Sequence, residues 1–409
     1  MIIGRFASRN RIFATLLFAA CAITTWGVAQ AQTSADAVMA RIEAAQAPAS
    51  DELAGLPLLE LMKRLKVPGL SVAVVDNFDI HWAKGYGVAD ASSGRPVSTR
   101  TRFQAASISK PLTAFAAMLL VQNKQLNLDE DINNILTSWK VPASEHTRKQ
   151  AVTARALFSH TSGAADGLGF DGYDPAAPLP SIKQIIDGEA PANNKKVLFD
   201  RPPFVTATYS GGGYMILQQA LMDLSKQPFD AFMDRTVLRP LQMSNSSFQV
   251  PLSTDAASNA ALGHDAAGLR TALRWRVHPE LAAAGLWTTP TDLARFIVEL
   301  QRALRGSANT TLNKQTAEQM ITPVGLGRHA IGLVIEQRPD GTYFSHGGNN
   351  WGYRAFMMGH TQKGYGFVIM TNGENGMALM NQVADRIVNA YHWNAEEAPA
   401  VSPASSPKK

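Results

Sequence analysis

The chain has 409 residues, of which 45% are hydrophobic, 17% charged and 8% aromatic, with a single cysteine. This globular composition excludes a disordered, collagen-like or disulfide-stapled protein, and the length allows one large or two modest domains. The formal charge of +5 leans on Arg5, Arg9 and Arg11; without them 35 basic residues face 33 acidic ones, a balance without the basic excess that nucleic acid demands of a partner.

Those arginines precede an apolar run at 12–29 and then Ala29-Gln30-Ala31. The order matches a secretory signal, so residues 1–31 are expected to be a signal peptide cleaved after Ala31 and the protein to be exported, periplasmic or secreted. The other reading of the run is an uncleaved anchor, since about 18 apolar residues can just span a bilayer; with cleavage no membrane span remains. Cys21 lies inside the run, too far from its end for a lipoprotein signal. The mature chain would hold no cysteine, which removes disulfides, thiolate metal sites and a cysteine nucleophile together.

Residues 32–50 read as a flexible stem and 395–409 as a disordered tail, both short of apolar groups. From 52 to 66 Leu53, Leu56, Leu59 and Met62 recur at helical spacing, and Pro68-Gly69 ends the helix. Two β-rich runs at 70–75 and 80–88, parted by Asp76-Asn77-Phe78-Asp79, predict a hairpin. Helical patterns follow at 112–121, 214–224, 229–238 and 291–304, separated by long Gly/Pro/Asn loops. Strand-like runs at 330–336, 353–358 and 366–371 and a helix at 377–391 complete the chain. The order predicts an α+β fold: one antiparallel sheet built from both chain ends, flanked by terminal helices, with a mainly helical insertion. The expected division is 51–111 with 285–394 as the sheet domain and 112–284 as the inserted domain.

Several short motifs are discounted. Gly167-Leu168-Gly169-Phe170-Asp171-Gly172 matches G-x-G-x-x-G, but no strand leads into it and no helix follows, so it reads as a surface loop. Asp166, Asp171 and Asp174 fit no calcium-loop spacing, and neither H-E-x-x-H nor G-x-S-x-G occurs. Ser107-Ile108-Ser109-Lys110 survives. S-x-x-K alone is uninformative, because Ser405 with Lys408 and Ser406 with Lys409 also match it. Here, however, Ser107 opens an apolar helix with Pro111 in its first turn, and positions three apart share a face, which sets the Lys110 amine beside the Ser107 hydroxyl. A serine needs a neighbour to take its proton, and a lysine can do so only if burial or a nearby cation lowers its pKa from about 10.4. The bland alternative is a helix-capping serine with an exposed lysine.

Four further segments decide between these. Leu157-Phe158-Ser159-His160-Thr161-Ser162-Gly163, Tyr209-Ser210-Gly211, the stretch at 284–294 (Ala-Gly-Leu-Trp-Thr-Thr-Pro-Thr-Asp-Leu-Ala) and Ser345-His346-Gly347-Gly348 follow in order. Together they resemble the serine β-lactamase and penicillin-binding-protein superfamily, in particular its class C β-lactamase-like branch of esterases, D-amino-acid peptidases and β-lactamases, over residues 52–392.

The resemblance implies a β-lactamase/transpeptidase-like fold and a cofactor-free, metal-free serine acyl hydrolase. By it Ser107 is the acylated nucleophile, and Lys110 and Tyr209 share the proton traffic, with the base not assigned between them. The oxyanion hole maps to the backbone N–H groups of Ser107 and Asn349. His346, Gly347 and Gly348 form the H-x-G version of the K-T-G element on the substrate side. His160 and His264 are expected to be structural. Two departures stand out: Gly211 replaces an asparagine that binds the substrate's acyl-amide group, and His346 replaces a lysine, so Arg354 is considered as the cation facing a substrate carboxylate. The expected substrates are small D-amino-acid peptides or amides. A carboxylesterase, a weak β-lactamase and a non-catalytic penicillin-binding sensor are the alternatives. Nothing in the sequence speaks to the oligomeric state.

Overall fold

The computed structural model describes residues 34–47, 51–165, 169–325 and 327–393. The expected signal peptide and the tail from 395 lie outside the described residues. No helix among the described residues is long and apolar enough to cross a membrane.

The stem expectation fails at its centre. Residues Ala35–Glu43 form a helix, α1, because Val38 and Ile42 sit one turn apart and are both buried against the rest of the fold. The next helix, α2, covers Leu58–Arg64 rather than the whole run from 52, because Pro57 occupies its N-cap with an extended ψ of 152°.

The hairpin forms as predicted: β1 (Gly69–Asp76) pairs antiparallel with β2 (Asp79–Asp90) across Asn77 and Phe78. Both turn residues have positive φ, 51° and 63°, the combination that matches the strand twist in a two-residue hairpin loop. Short strands β3 (Arg95–Pro96) and β4 (Phe103–Gln104) follow, then helix α3 (Ser109–Gln122). The helical middle includes α4 (Gly211–Ser225) and the short α5 (Leu281–Ala284). Next come β5 (Trp287–Thr288), α6 (Pro290–Leu304), β6 (Val334–Arg338), β7 (Gly341–Asn350), β8 (Tyr353–His360), β9 (Gly366–Thr371) and α7 (Gly376–Tyr391).

Seven of these strands make one antiparallel sheet in the order β3-β2-β1-β9-β8-β7-β6. The two ends of the chain meet where Leu70 of β1 pairs with Thr371 of β9. Both faces are covered, as the period-two alternation along β1 requires. Leu70, Val72 and Val74 point to a core shared with α1, α2 and α7, whereas Ala73 and Val75 join the core that includes α3, α4 and α6. Alternation did not reveal β7. Its second half, Ser345-His346-Gly347-Gly348-Asn349-Asn350, is polar and glycine-rich, yet it packs against the residues just before α3.

Candidate active site

Ser107 sits in a 3-10 turn, Ala106–Ile108, that links β4 to α3. The turn is tight enough to hold Ala106 at a φ of 49°, a left-handed conformation that costs a residue with a Cβ on the order of 1–3 kcal/mol. Three hydrogen bonds hold it there. Ala105 N donates to Leu286 O (2.9 Å), while the Ser109 hydroxyl donates to Ala106 O (2.6 Å) and accepts from Leu286 N (3.0 Å). Ser109, the second serine of the motif, is therefore a clamp on the turn that carries Ser107.

Lys110 is 2% exposed. Lysine is seldom buried unless it is paired, and here its Nζ donates to Ser107 Oγ at 3.0 Å and to Ala283 O at 2.9 Å. The amine also lies 5.0 Å from the ring centroid of Tyr209 and 5.2 Å from that of Tyr214, within the range of a cation–π contact. Tyr214 is fixed in turn by its hydroxyl donating to Phe158 O (3.0 Å). Ser107 and Lys110 are thus in hydrogen-bond contact, while Tyr209 turns its ring face to the amine.

Tyr209 directly precedes Ser210, the N-cap of α4, whose hydroxyl accepts from Gly213 N at 2.8 Å. His160 backs this turn: its Nδ1 accepts from Ser210 N (3.1 Å) and its ring stacks on Tyr209 with centroids 4.3 Å apart. Burial, then Lys110 and the neighbouring His329 and His346, keep His160 well below the usual imidazole pKa. His264 is a strut elsewhere, its Nε2 accepting from Ala91 N (3.2 Å) and its Nδ1 bonded to Asn372 O (2.9 Å).

From the opposite side β7 is pressed against the Ser107 turn. A Cβ on Gly348 would collide with the Ala105 carbonyl oxygen, so glycine is required there, whereas a Cβ on Gly347 would meet nothing closer than 3.9 Å. Buried Asn350 secures the strand, donating to Gln104 Oε1 at 2.7 Å and to Ala284 O at 3.3 Å. His346 is buried, with Nδ1–H donating to Gly347 O (2.7 Å). Burial and the Lys110 charge push it down to about 3, so the imidazole is neutral at pH 7.

A cavity of about 530 Å³ is lined by Ser107, Lys110 and Asn349 together with Phe170, Trp351 and Arg354, whereas Tyr209, Gly211, His346, Gly347 and Gly348 do not line it. Arg354 reaches the wall, but its guanidinium is bound to the Glu374 carboxylate and donates to Asn350 O (2.9 Å) and Tyr353 O (2.8 Å). It presents an ion pair rather than the bare cation considered from sequence. Arg276, not anticipated, also lines the cavity and stacks over the Trp351 ring at 4.7 Å; it lies in a loop without a readable motif. Phe170 was missed too. It belongs to the segment discounted as a surface loop, yet its ring covers Gly211, where a Cβ would lie 2.8 Å from Cε2. One aromatic residue in an otherwise polar, glycine-rich stretch was the available signal.

The fold has counterparts among solved structures. The D-amino acid amidase of Ochrobactrum anthropi SV3, solved with D-phenylalanine, superposes with a TM-score of 0.68 at 19% identity, covering 88% of this chain and 100% of that one. SurE, solved with D-Leu, gives a TM-score of 0.65 at 25% identity over 91% of this chain and 79% of its own. In sequence the chain is similar to Protein flp of Staphylococcus aureus (strain N315), 22% identical over 341 residues and 80% of this chain. It spans 64% of the length of that curated relative. The sequence model of the Beta-lactamase family matches residues 58–392, and with that span the chain belongs to the Beta-lactamase family.

Proposed function

We propose that this protein is an exported serine acyl hydrolase that works through a Ser107 acyl-enzyme and acts on small D-amino-acid peptides or amides. The observation that carries the reading is the buried Lys110 amine, 3.0 Å from Ser107 Oγ and held by Ala283 O. In acylation the Ser107 oxygen attacks the carbonyl carbon, its proton passes to the Lys110–Tyr209 unit, and that unit returns the proton to the leaving amine. The backbone N–H groups of Ser107 and Asn349 receive the developing oxyanion. Water then attacks the ester, gives its proton to the same unit, and restores the Ser107 hydroxyl.

The fold shared with a D-amino acid amidase and with SurE, each solved with a D-amino acid, supports the substrate class. Asp171 also lines the wall, a carboxylate of the sign that a free α-ammonium group needs, whereas that of Glu374 is already paired with Arg354. A carboxylesterase is the second reading. It is favoured by Gly211, which has no side-chain amide to bind an acyl-amide, and by the neutral His346, which offers no fixed cation to a carboxylate.

The test is a panel of D-aminoacyl amides, a D-Ala-D-Ala peptide, short p-nitrophenyl esters and nitrocefin, with Ser107→Ala as the control. Sustained turnover that falls by roughly 1000-fold or more in the alanine variant is expected. Full rates in that variant would refute the acyl-enzyme, and a single stoichiometric acylation without turnover would make the protein a penicillin-binding sensor.

A further inference from the structure

The ring of Phe170 occupies the space above Gly211, in which a side chain at position 211 would stand. The ideal Cβ of Gly211 would lie 2.8 Å from Cε2, 3.3 Å from Cζ and 3.6 Å from Cδ2 of that ring, so the ring rests on the first turn of α4. The same ring lines the cavity that holds Ser107 and Lys110, and its other contacts are with the apolar core.

The segment that carries it is anchored at several points. Tyr173 and Val277 exchange backbone hydrogen bonds of 2.8 and 2.9 Å, Arg276 Nη1 donates to Asp171 O (3.1 Å), and Asn193 Nδ2 donates to Gly172 O (3.1 Å). Arg276 is itself tied to the β-structure, since its carbonyl accepts from Gln104 Nε2 at 2.7 Å. The aromatic ring is thus a fixed part of the wall beside Ser107.

We infer that Phe170 and Gly211 together form an aromatic subsite that selects apolar, preferably aryl, acyl groups for transfer to Ser107. A ring lying on a glycine offers a flat apolar face with no amide donor or acceptor. An aryl or branched aliphatic group stacks on that face and leaves water, a gain that a methyl group cannot match. A polar acyl-amide placed there would lose its hydrogen bonds to water without replacement. The inference rests on the acyl-enzyme reading for its kinetic consequence but not for its binding consequence.

Two measurements keep these apart. The first is the ratio of kcat/KM for p-nitrophenyl phenylacetate to that for p-nitrophenyl acetate, which cancels changes common to both esters. The ratio is expected to fall about tenfold in Phe170→Ala and to be largely kept in Phe170→Leu. Gly211→Asn should also lower it, because the new side chain displaces the ring. The second measures phenylacetate and acetate binding to the Ser107→Ala protein, with and without Phe170→Ala, by ligand-observed NMR. Phenylacetate binding weakened about tenfold by loss of the ring is expected whether or not the enzyme turns over. If Phe170→Ala fails to fold, Gly211→Asn carries both measurements. An unchanged ester ratio in folded Phe170→Ala or Gly211→Asn protein, or equal phenylacetate binding with and without the ring, would overturn the subsite. Absence of turnover in the wild type, with the binding difference intact, would overturn only the acyl-enzyme.

Discussion

Glu280 lies at the N-cap of α5, the four-residue helix that presents Ala283 O to Lys110, and it is fully buried. His278, equally enclosed, has Nδ1 3.9 Å from Glu280 Oε2. Burial pushes the Glu280 carboxyl from 4.5 up to about 8 and His278 from 6.5 down to about 4, so near pH 7 both are neutral. The signs follow from linkage. Between its unfolded and folded pKa the folded Glu280 binds the extra proton, so its stabilising contribution is complete below pH 4.5 and is lost as pH rises through about 8. His278 acts the other way, its contribution being lost as pH falls from 6.5 to about 4, and it is silent above 6.5. From pH 6.5 to 9 Glu280 alone therefore accounts for a loss of ~2 kcal/mol, at about 1.4 kcal/mol for each pH unit below the folded pKa. Glu280→Gln keeps the shape of the protonated acid and removes the titration. Urea unfolding of both proteins at pH 6.5, 7.5, 8.25 and 9 gives the two slopes, and the glutamine variant should gain ~2 kcal/mol relative to the wild type across that range. Parallel slopes in the two proteins would refute the reasoning, because the carboxyl would then be ionised in the folded state by pH 6.5.

Other perturbations separate the packing of the site from its chemistry. Gly348→Ala forces a Cβ onto the Ala105 carbonyl and should cost about 2–4 kcal/mol in unfolding experiments and at least about 100-fold in kcat/KM, since a backbone atom cannot swing aside. Gly347→Ala, with its nearest neighbour 3.9 Å away, should stay within about 0.5 kcal/mol of wild type in the same unfolding assay. Arg386 is 1% exposed and donates to Ile42 O, Ala44 O, Ala54 O and Leu56 O. Arg386→Met should cost about 3 kcal/mol and open residues 42–56 to proteolysis, read by limited digestion and mass spectrometry. Tyr214→Phe removes one hydrogen bond to Phe158 O but keeps the ring under Lys110, so thermal unfolding should show a loss of about 1 kcal/mol.

The larger elements were legible because each has a strong local cause. The hairpin of β1 and β2 follows from two β-rich runs around the turn-forming Asp76-Asn77-Phe78-Asp79, and α6 and α7 follow from long helical periodicity. Two segments were misread where tertiary contact overrides local pattern. The helix at Ala35–Glu43 carries only two buried apolar side chains, Val38 and Ile42, which gain their value from a core that α2 and β1 share with residues more than 300 positions later. The strand Gly341–Asn350 has the wrong composition for a strand in its second half, since Gly348 is selected by contact with Ala105 rather than by β-propensity. For the candidate site, ordered motifs single out Ser107, Lys110 and Tyr209, and the fold sets the Lys110 amine 3.0 Å from Ser107 Oγ and 5.0 Å from the centre of the Tyr209 ring. Phe170, Arg276 and Glu374 were not singled out, because they reach the cavity through loop geometry that no spacing in the sequence encodes.

The partners of the Lys110 amine show why this site belongs to the whole fold rather than to one segment. Its hydrogen bonds and ring contacts come from Ser107 on the turn before α3, Ala283 on α5, and Tyr209 and Tyr214 at the start of α4. β7 closes the opposite side through Gly348 against Ala105. An amine buried with only some of these partners would pay several kcal/mol in lost hydration, so a partly folded chain gains nothing by burying it early. The favourable arrangement exists only after both ends of the chain have joined the sheet and the helical middle has docked. Ser109 and Asn350 serve that assembly through their hydrogen bonds. One ties the Ser107 turn to Leu286, and the other ties β7 to Gln104 and Ala284, so that the hydroxyl and the amine meet at 3.0 Å as a consequence of the fold's closure.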